Sequence, residues 1–201
     1  MKRAPTMLCI AILACGLAPD ARAGTKVISS WHEPSLTRLD FKKVLVVCFA
    51  PHESQRRFGE AEIVKRMTKT NAVAAYSVMT EDDVKDEQRM RAIMAREGFD
   101  GAITMRFVGA GDTMTYQAGL YASAHSGFWS YYSMAWPLVY DVGYMHIEHK
   151  MNMETHVYSL TDDKVVWIAL TETKNPKTAQ KLVDEVARAV VSDMRKRKLI
   201  E

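Results

Sequence analysis

The sequence predicts an α/β domain with a mixed sheet: β-α-β-α-β, followed by antiparallel strands and a C-terminal helix packed on the sheet. Three observations predict it. Short β-branched runs alternate with stretches of helical periodicity between residues 43 and 108. Two later runs, Tyr144 to Leu160 and Lys164 to Thr173, are joined by the turn residues Thr161-Asp162-Asp163. A clean apolar stripe of Leu182, Val183, Val186, Ala187, Val190 and Met194 then marks a closing amphipathic helix.

Taken in order, Lys43 to Phe49 is a continuous apolar run, as expected of a strand buried on both faces. Ala50-Pro51-His52 breaks it. From Glu53 to Thr70 a helix is expected, with Phe58, Ala61, Ile63, Val64 and Met67 inward and Arg56, Arg57, Glu60 and Lys65 toward solvent. Val73 to Val78 reads as a second strand. Thr80 and Asp83 form a capping-box pattern that opens a helix running to Glu97 and stopping at Gly98. Gly101 to Val108 is the third strand, and Thr113 to Tyr121 reads as a further one. Asn175-Pro176 has the form of a helix start, with a cap residue before proline. Residues 24–40 read as an irregular lead-in, so the single α/β domain is placed at 41–201.

The chain begins with an export signal. Lys2 and Arg3 precede a run from Met7 to Ala18 that is almost wholly apolar and too short to span a bilayer. Two cleavage sites compete. Ala21-Arg22-Ala23 predicts a signal over 1–23 and a mature chain from Gly24. Ile12-Leu13-Ala14-Cys15 resembles a lipobox and predicts a signal over 1–14 with lipidation at Cys15, an acyl anchor that needs no transmembrane helix. Either way the product is exported, to the periplasm or to a periplasm-facing membrane.

Of 201 residues, 48% are hydrophobic and 25% charged, which allows an ordinary core. Residues 1–23 carry Lys2, Arg3, Arg22 and Asp20; without them 24 basic side chains face 23 acidic ones. This balance gives no footprint for nucleic acid. The basic run Arg195 to Lys198 falls where cations complement a helix C-terminus. Cys48 is the only cysteine of the domain, so no internal disulfide forms. Its apolar neighbours predict a buried small hydrophobe rather than a nucleophile paired with His52.

The residues carry little recognisable chemistry. Gly109-Ala110-Gly111 lacks a phosphate-loop pattern, and no nucleophile elbow surrounds Ser126. No catalytic residue and no cofactor is therefore assigned. A zinc site could draw on His146, His149 and His156, with Glu148 and Glu154. On a strand, however, His146 and Glu148 share a face that His149 does not. The segment 121–144 stands apart. It is rich in Gly, Ser and aromatic residues and lacks clear helical periodicity. It reads either as an insertion partly packed on the sheet or as a contact surface. Tyr121, Phe128, Trp129, Tyr131, Tyr132, Trp136 and Tyr140 would then bind a partner, because aromatic side chains are frequent anchors of interfaces.

Val27-x-Ser29-Ser30-Trp31 after the signal and the strand from Lys43 to Val47 carry a resemblance. So do Arg56-Arg57 with Glu60, Glu97-Gly98-Phe99-Asp100-Gly101, and Glu154 to Leu160 leading into Val165-Val166-Trp167. Over nearly the whole mature chain these residues resemble bacterial exported lipoproteins that share a small α/β domain. That domain is similar to the N-terminal domain of TolB and to the penicillin-binding-protein activator lipoproteins. The resemblance implies an envelope location, with no catalytic residues. The partner expected on this reading is an envelope protein or surface component, a second copy of the chain included. Contact with a membrane would come only through a lipid anchor.

Overall fold

A computed structural model describes residues 24–110, 127–141 and 150–201. Its strands are β1 (Gly24–His32), β2 (Val44–Phe49), β3 (Ala72–Ala74), β4 (Gly101–Ala110), β5 (Lys150–Ser159) and β6 (Lys164–Lys174). Its helices are α1 (Glu53–Arg66), α2 (Glu81–Lys85), α3 (Glu87–Glu97), α4 (Phe128–Asp141) and α5 (Ala179–Lys196). The strands form one sheet in the order β1-β6-β5-β4-β2-β3. β2 pairs in parallel with β3 and β4, and the remaining pairs are antiparallel. This is the mixed α/β architecture expected from the sequence.

Two cores follow from the alternation of side chains along each strand. On one face Val44, Val46, Cys48, Ile103, Met105, Met153 and Trp167 pack under α1 and α5. The α5 stripe seals this layer, with Leu182, Val186, Val190 and Met194 at 1% exposure or less. On the other face Leu45, Val47, Phe49, Ala102, Tyr158 and Ile168 pack under α2, α3 and α4. Cys48 is buried as expected, and burial pushes its thiol well above the ordinary range, with the nearby Glu60 acting in the same direction. Gly59 lets α1 approach β2 closely. A Cβ there would lie 2.6 Å from Cys48 Sγ and 3.1 Å from Met105 Cε. Gly59→Ala is expected to destabilise the domain by about 1–3 kcal/mol, read as a lower urea midpoint at unchanged m-value.

The helix ends show where local chemistry decides. Thr80 and Asp83 form the expected capping box. The chain does not continue as one helix, because Asp86 is extended and caps a new start, accepting from the Arg89 N–H at 3.1 Å. Gly98 ends α3 in the left-handed conformation (φ 72°). The Asp100 carboxylate then accepts the Lys42 and Lys43 N–H groups, each at 2.9 Å, which sets the entry to β2. Asn175-Pro176 is not the start of the last helix. Asn175 sits in a positive-φ turn, and Thr178 caps α5 by accepting the Lys181 N–H at 3.0 Å.

Three further expectations are corrected. Residues 24–40 are irregular only from Glu33 onward, because Gly24–His32 forms β1 and pairs with β6. Its half-buried Thr and Ser side chains and exposed Lys26 suit an edge strand and hide the apolar alternation. Val73 to Val78 is a strand only as far as Ala74, and a 3-10 turn, Ala75–Ser77, follows. Part of the aromatic segment is helical, over Phe128–Asp141, with Pro137 inside the helix. Its periodicity is invisible because no charged residue interrupts it before Asp141. The expected strand from Thr113 to Tyr121 lies outside the described residues.

Candidate functional site

α4 lies across β2, β4 and β5 and covers a polar cluster within the second core. Phe128, Tyr131, Tyr132, Ala135 and Trp136 face inward, at 7% exposure or less. Phe49 meets the rings of Tyr131, Tyr132 and Trp136 edge-on at 5.2–5.8 Å between centroids. Phe128 packs edge-on against Tyr158 at 5.4 Å. The aromatic residues expected to form a contact surface are thus largely core. Of those described, only Trp129 keeps part of its ring open, and Arg91 stacks over it at 3.9 Å. Tyr121 and the side chain of Tyr140 lie outside the described residues.

Beneath α4, register places Arg106 opposite Glu154 and Thr104 opposite His156. The Arg106 Nε and Nη2 groups lie 2.8 and 2.7 Å from Glu154 Oε1, and the Tyr131 hydroxyl donates to the same oxygen at 2.6 Å. His156 Nδ1 and the Tyr158 hydroxyl are 2.9 Å apart. Glu154 Oε2 and His156 Nε2 stand 3.7 Å apart, and neither has a hydrogen-bond partner among the described residues.

The electrostatics follow from the burial. Burial disfavours the charge on Arg106, but the Tyr131 and Glu154 oxygens outweigh it and raise the guanidinium above its ordinary value. Burial keeps the Tyr131 and Tyr158 hydroxyls protonated far above the usual phenol range, with Glu154 adding to the effect. Burial also lowers His156, more than Glu154 can restore, so its imidazole is neutral near pH 7. The arrangement ties a helix to a sheet through one carboxylate, with Arg106 as counter-ion.

His156 engages Tyr158 through Nδ1, and its Nε2 is fully buried beside Glu154. Among the described residues no three His, Cys, Asp or Glu side chains are placed to share a metal ion. His146, Glu148, His149 and the lipidation candidate Cys15 lie outside the described residues.

Sequence reasoning missed Arg106 as a partner of Glu154. The signal was an arginine inside the apolar run Ile103 to Val108, facing an acid on a later strand. It also placed Arg56 and Glu60 toward solvent. Both are buried, at 1% and 0% exposure, because Glu60 takes backbone donors from two other elements and Arg56 pairs with it one turn away.

A second feature lies on the opposite face, at the carboxyl ends of β2 and β4, where open α/β sheets commonly bind ligands. It is a small apolar cleft of about 50 Å³ between the starts of α1 and α5, walled by Phe49, Phe58, Phe107, Met153, Leu182 and Val183. Among the described residues no charged side chain lines it.

The fold and the cluster define a mixed α/β domain with a closed polar site under an aromatic helix. No protein-family model and no curated protein matches the chain. Among solved structures it is similar to the dodecamer of a single-substitution variant of PelC from Paraburkholderia phytofirmans. That match has a TM-score of 0.45 and 9% identity, over 85% of this chain and 96% of that one. A PelC dodecamer from the same organism in another crystal form gives a TM-score of 0.43 and 8% identity, over 88% and 99%. The lipoprotein GNA1162 from Neisseria meningitidis gives 0.39 and 12%, over 77% and 98%. Among the described residues no helix is long and apolar enough to cross a membrane.

Proposed function

We propose that the chain is a non-catalytic module of the cell envelope. It binds an envelope protein or surface component, or a second copy of itself, through the outward face of α4. One observation carries the reading. α4 has no charged residue before Asp141, although only one of its faces fills the core. Its outward face carries Ser130 and Ser133 but no charge beside the exposed Met134, an uncommon surface for a helix left open to water. Here Met134 is 38% exposed, one of two large hydrophobic side chains so exposed among the described residues, and Pro137 is exposed beside it. Trp129 and Leu138 are half-buried on the same helix. The contact residues are thus a shifted subset of the aromatic segment, with the buried rings holding the surface in place. The signal-like N-terminus and the resemblance to exported lipoproteins with a TolB-like domain support the location. The closed state of the Arg106–Glu154–His156 cluster supports a binding role over the alternative of a zinc enzyme built on His146, His149 and His156.

The test is a Met134→Asp, Leu138→Asp double variant expressed with its signal in a Gram-negative host. It is expected to fold with an unchanged urea midpoint, within about 0.5 kcal/mol of wild type. It should also lose the cross-linked partner, or the self-association, that the wild-type protein shows in the envelope fraction. Retention of the same cross-links, or a wild-type protein found only in the cytoplasm, would overturn the reading.

A further inference from the structure

On the first face of the sheet, a single carboxylate joins three elements. Glu60, on α1, is fully buried. Its Oε1 accepts the Cys48 N–H of β2 at 3.3 Å and faces Arg56 Nη1 at 3.4 Å. Its Oε2 accepts the Tyr76 N–H at 2.8 Å. Tyr76 lies in the 3-10 turn between β3 and α2. The surrounding titratable groups are Arg56 from α1 and the Cys48 thiol from β2. Arg57 stacks on the Tyr76 ring at 5.4 Å.

The two oxygens are not equivalent. A proton on Oε1 would meet a cation and an N–H donor, so proton uptake falls on Oε2. There the new O–H needs an acceptor of its own and the neutral oxygen accepts more weakly, so the bond from the Tyr76 N–H is weakened. An ionised carboxylate accepts only, whereas a protonated one has a donor to place.

We propose that Glu60 is a proton-operated clasp: ionised, it fastens the turn at Tyr76 to α1 and β2, and protonated, it releases that turn. The clasp works near neutrality, because burial pushes the Glu60 carboxyl up to about 7 against the opposing pull of the Tyr76 N–H and Arg56. Released, the turn loosens the connection into α2, whose Val84 carbonyl accepts the Tyr132 hydroxyl of α4. Acid thus slackens one support of α4. The clasp stands on its own geometry and does not depend on what α4 binds.

Global stability moves the other way. A carboxyl raised from its ordinary 4.5 to about 7 contributes stability that is fully present below about 4.5 and lost as pH rises through about 7. Local and global responses are therefore separable by measurement.

The experiment is residue-resolved amide exchange on the mature protein at about pH 5.5 and about pH 8.5, corrected for intrinsic rates, with wild type and Glu60→Gln. In wild type the Tyr76 amide is expected to be at least tenfold less protected at the lower pH, a change of about 1.4 kcal/mol in opening. Glu60→Gln, which places an NH2 donor where the carboxylate accepted, should show low Tyr76 protection at both pH values. Tyr76 protection that is independent of pH in wild type would overturn the clasp. So would a pH dependence that persists unchanged in Glu60→Gln. If the variant does not fold, the Glu60 carboxyl carbon resonance of wild type decides. A midpoint near 7 sustains the clasp, and one near 4.5 sinks it.

Discussion

Glu154→Ala is expected to destabilise the domain by about 3–5 kcal/mol, enough to leave a marginal domain largely unfolded. The size follows from what remains behind. The Arg106 side chain is 9% exposed and has Glu154 as its counter-ion in the cluster. Removing the carboxylate strands a buried guanidinium and takes the acceptor from the Tyr131 hydroxyl. A stranded charge costs far more than an absent pair. The double variant Glu154→Leu, Arg106→Met should therefore recover most of the loss, although it removes more polar groups. Urea denaturation of the two variants and wild type checks this. A double variant no more stable than Glu154→Ala would show that the cluster is not held by charge.

Trp167→Ala is expected to cost a similar amount, about 3–5 kcal/mol, for a different reason. Trp167, on β6 beneath α5, is the largest fully buried side chain among the described residues, at 0% exposure. Its indole N–H has no hydrogen-bond partner among the described residues, so the substitution breaks no polar contact. The cost is lost transfer energy and the cavity left behind. Trp167→Phe should therefore retain most of the stability, because much of the ring volume returns. A Trp167→Phe variant as unstable as Trp167→Ala would point to a polar role for the indole that the geometry does not show.

What could be read in the sequence divides along physical lines. The β2 run and the α5 stripe were legible because each buries its apolar side chains in a pattern that one element carries alone. β1 was not legible. Its identity as a strand depends on β6, almost 150 positions later, and its own side chains are half-buried. α4 was hidden by its aromatic content, since two serines and no charge mark its outward face too weakly for a periodicity to show. Glu60 and Arg106 were hidden because a charged residue in an isolated sequence looks solvated. Their burial depends on partners from other elements: Tyr76 and Cys48 for one, Glu154 and Tyr131 for the other. The closed cluster under α4 became visible only when register placed Arg106 beside Glu154 and Thr104 beside His156.

The pairing of β1 with β6 sets the order in which the molecule can be completed. Gly24 pairs with Lys174, so the first described strand to leave the ribosome must wait for one of the last. Until β6 arrives, β1 has no partner among the described strands, and α5, which closes the first core, is still to come. Such long-range closure slows folding. Under the envelope location proposed above, that delay would keep the chain threadable until its C-terminal strands are made.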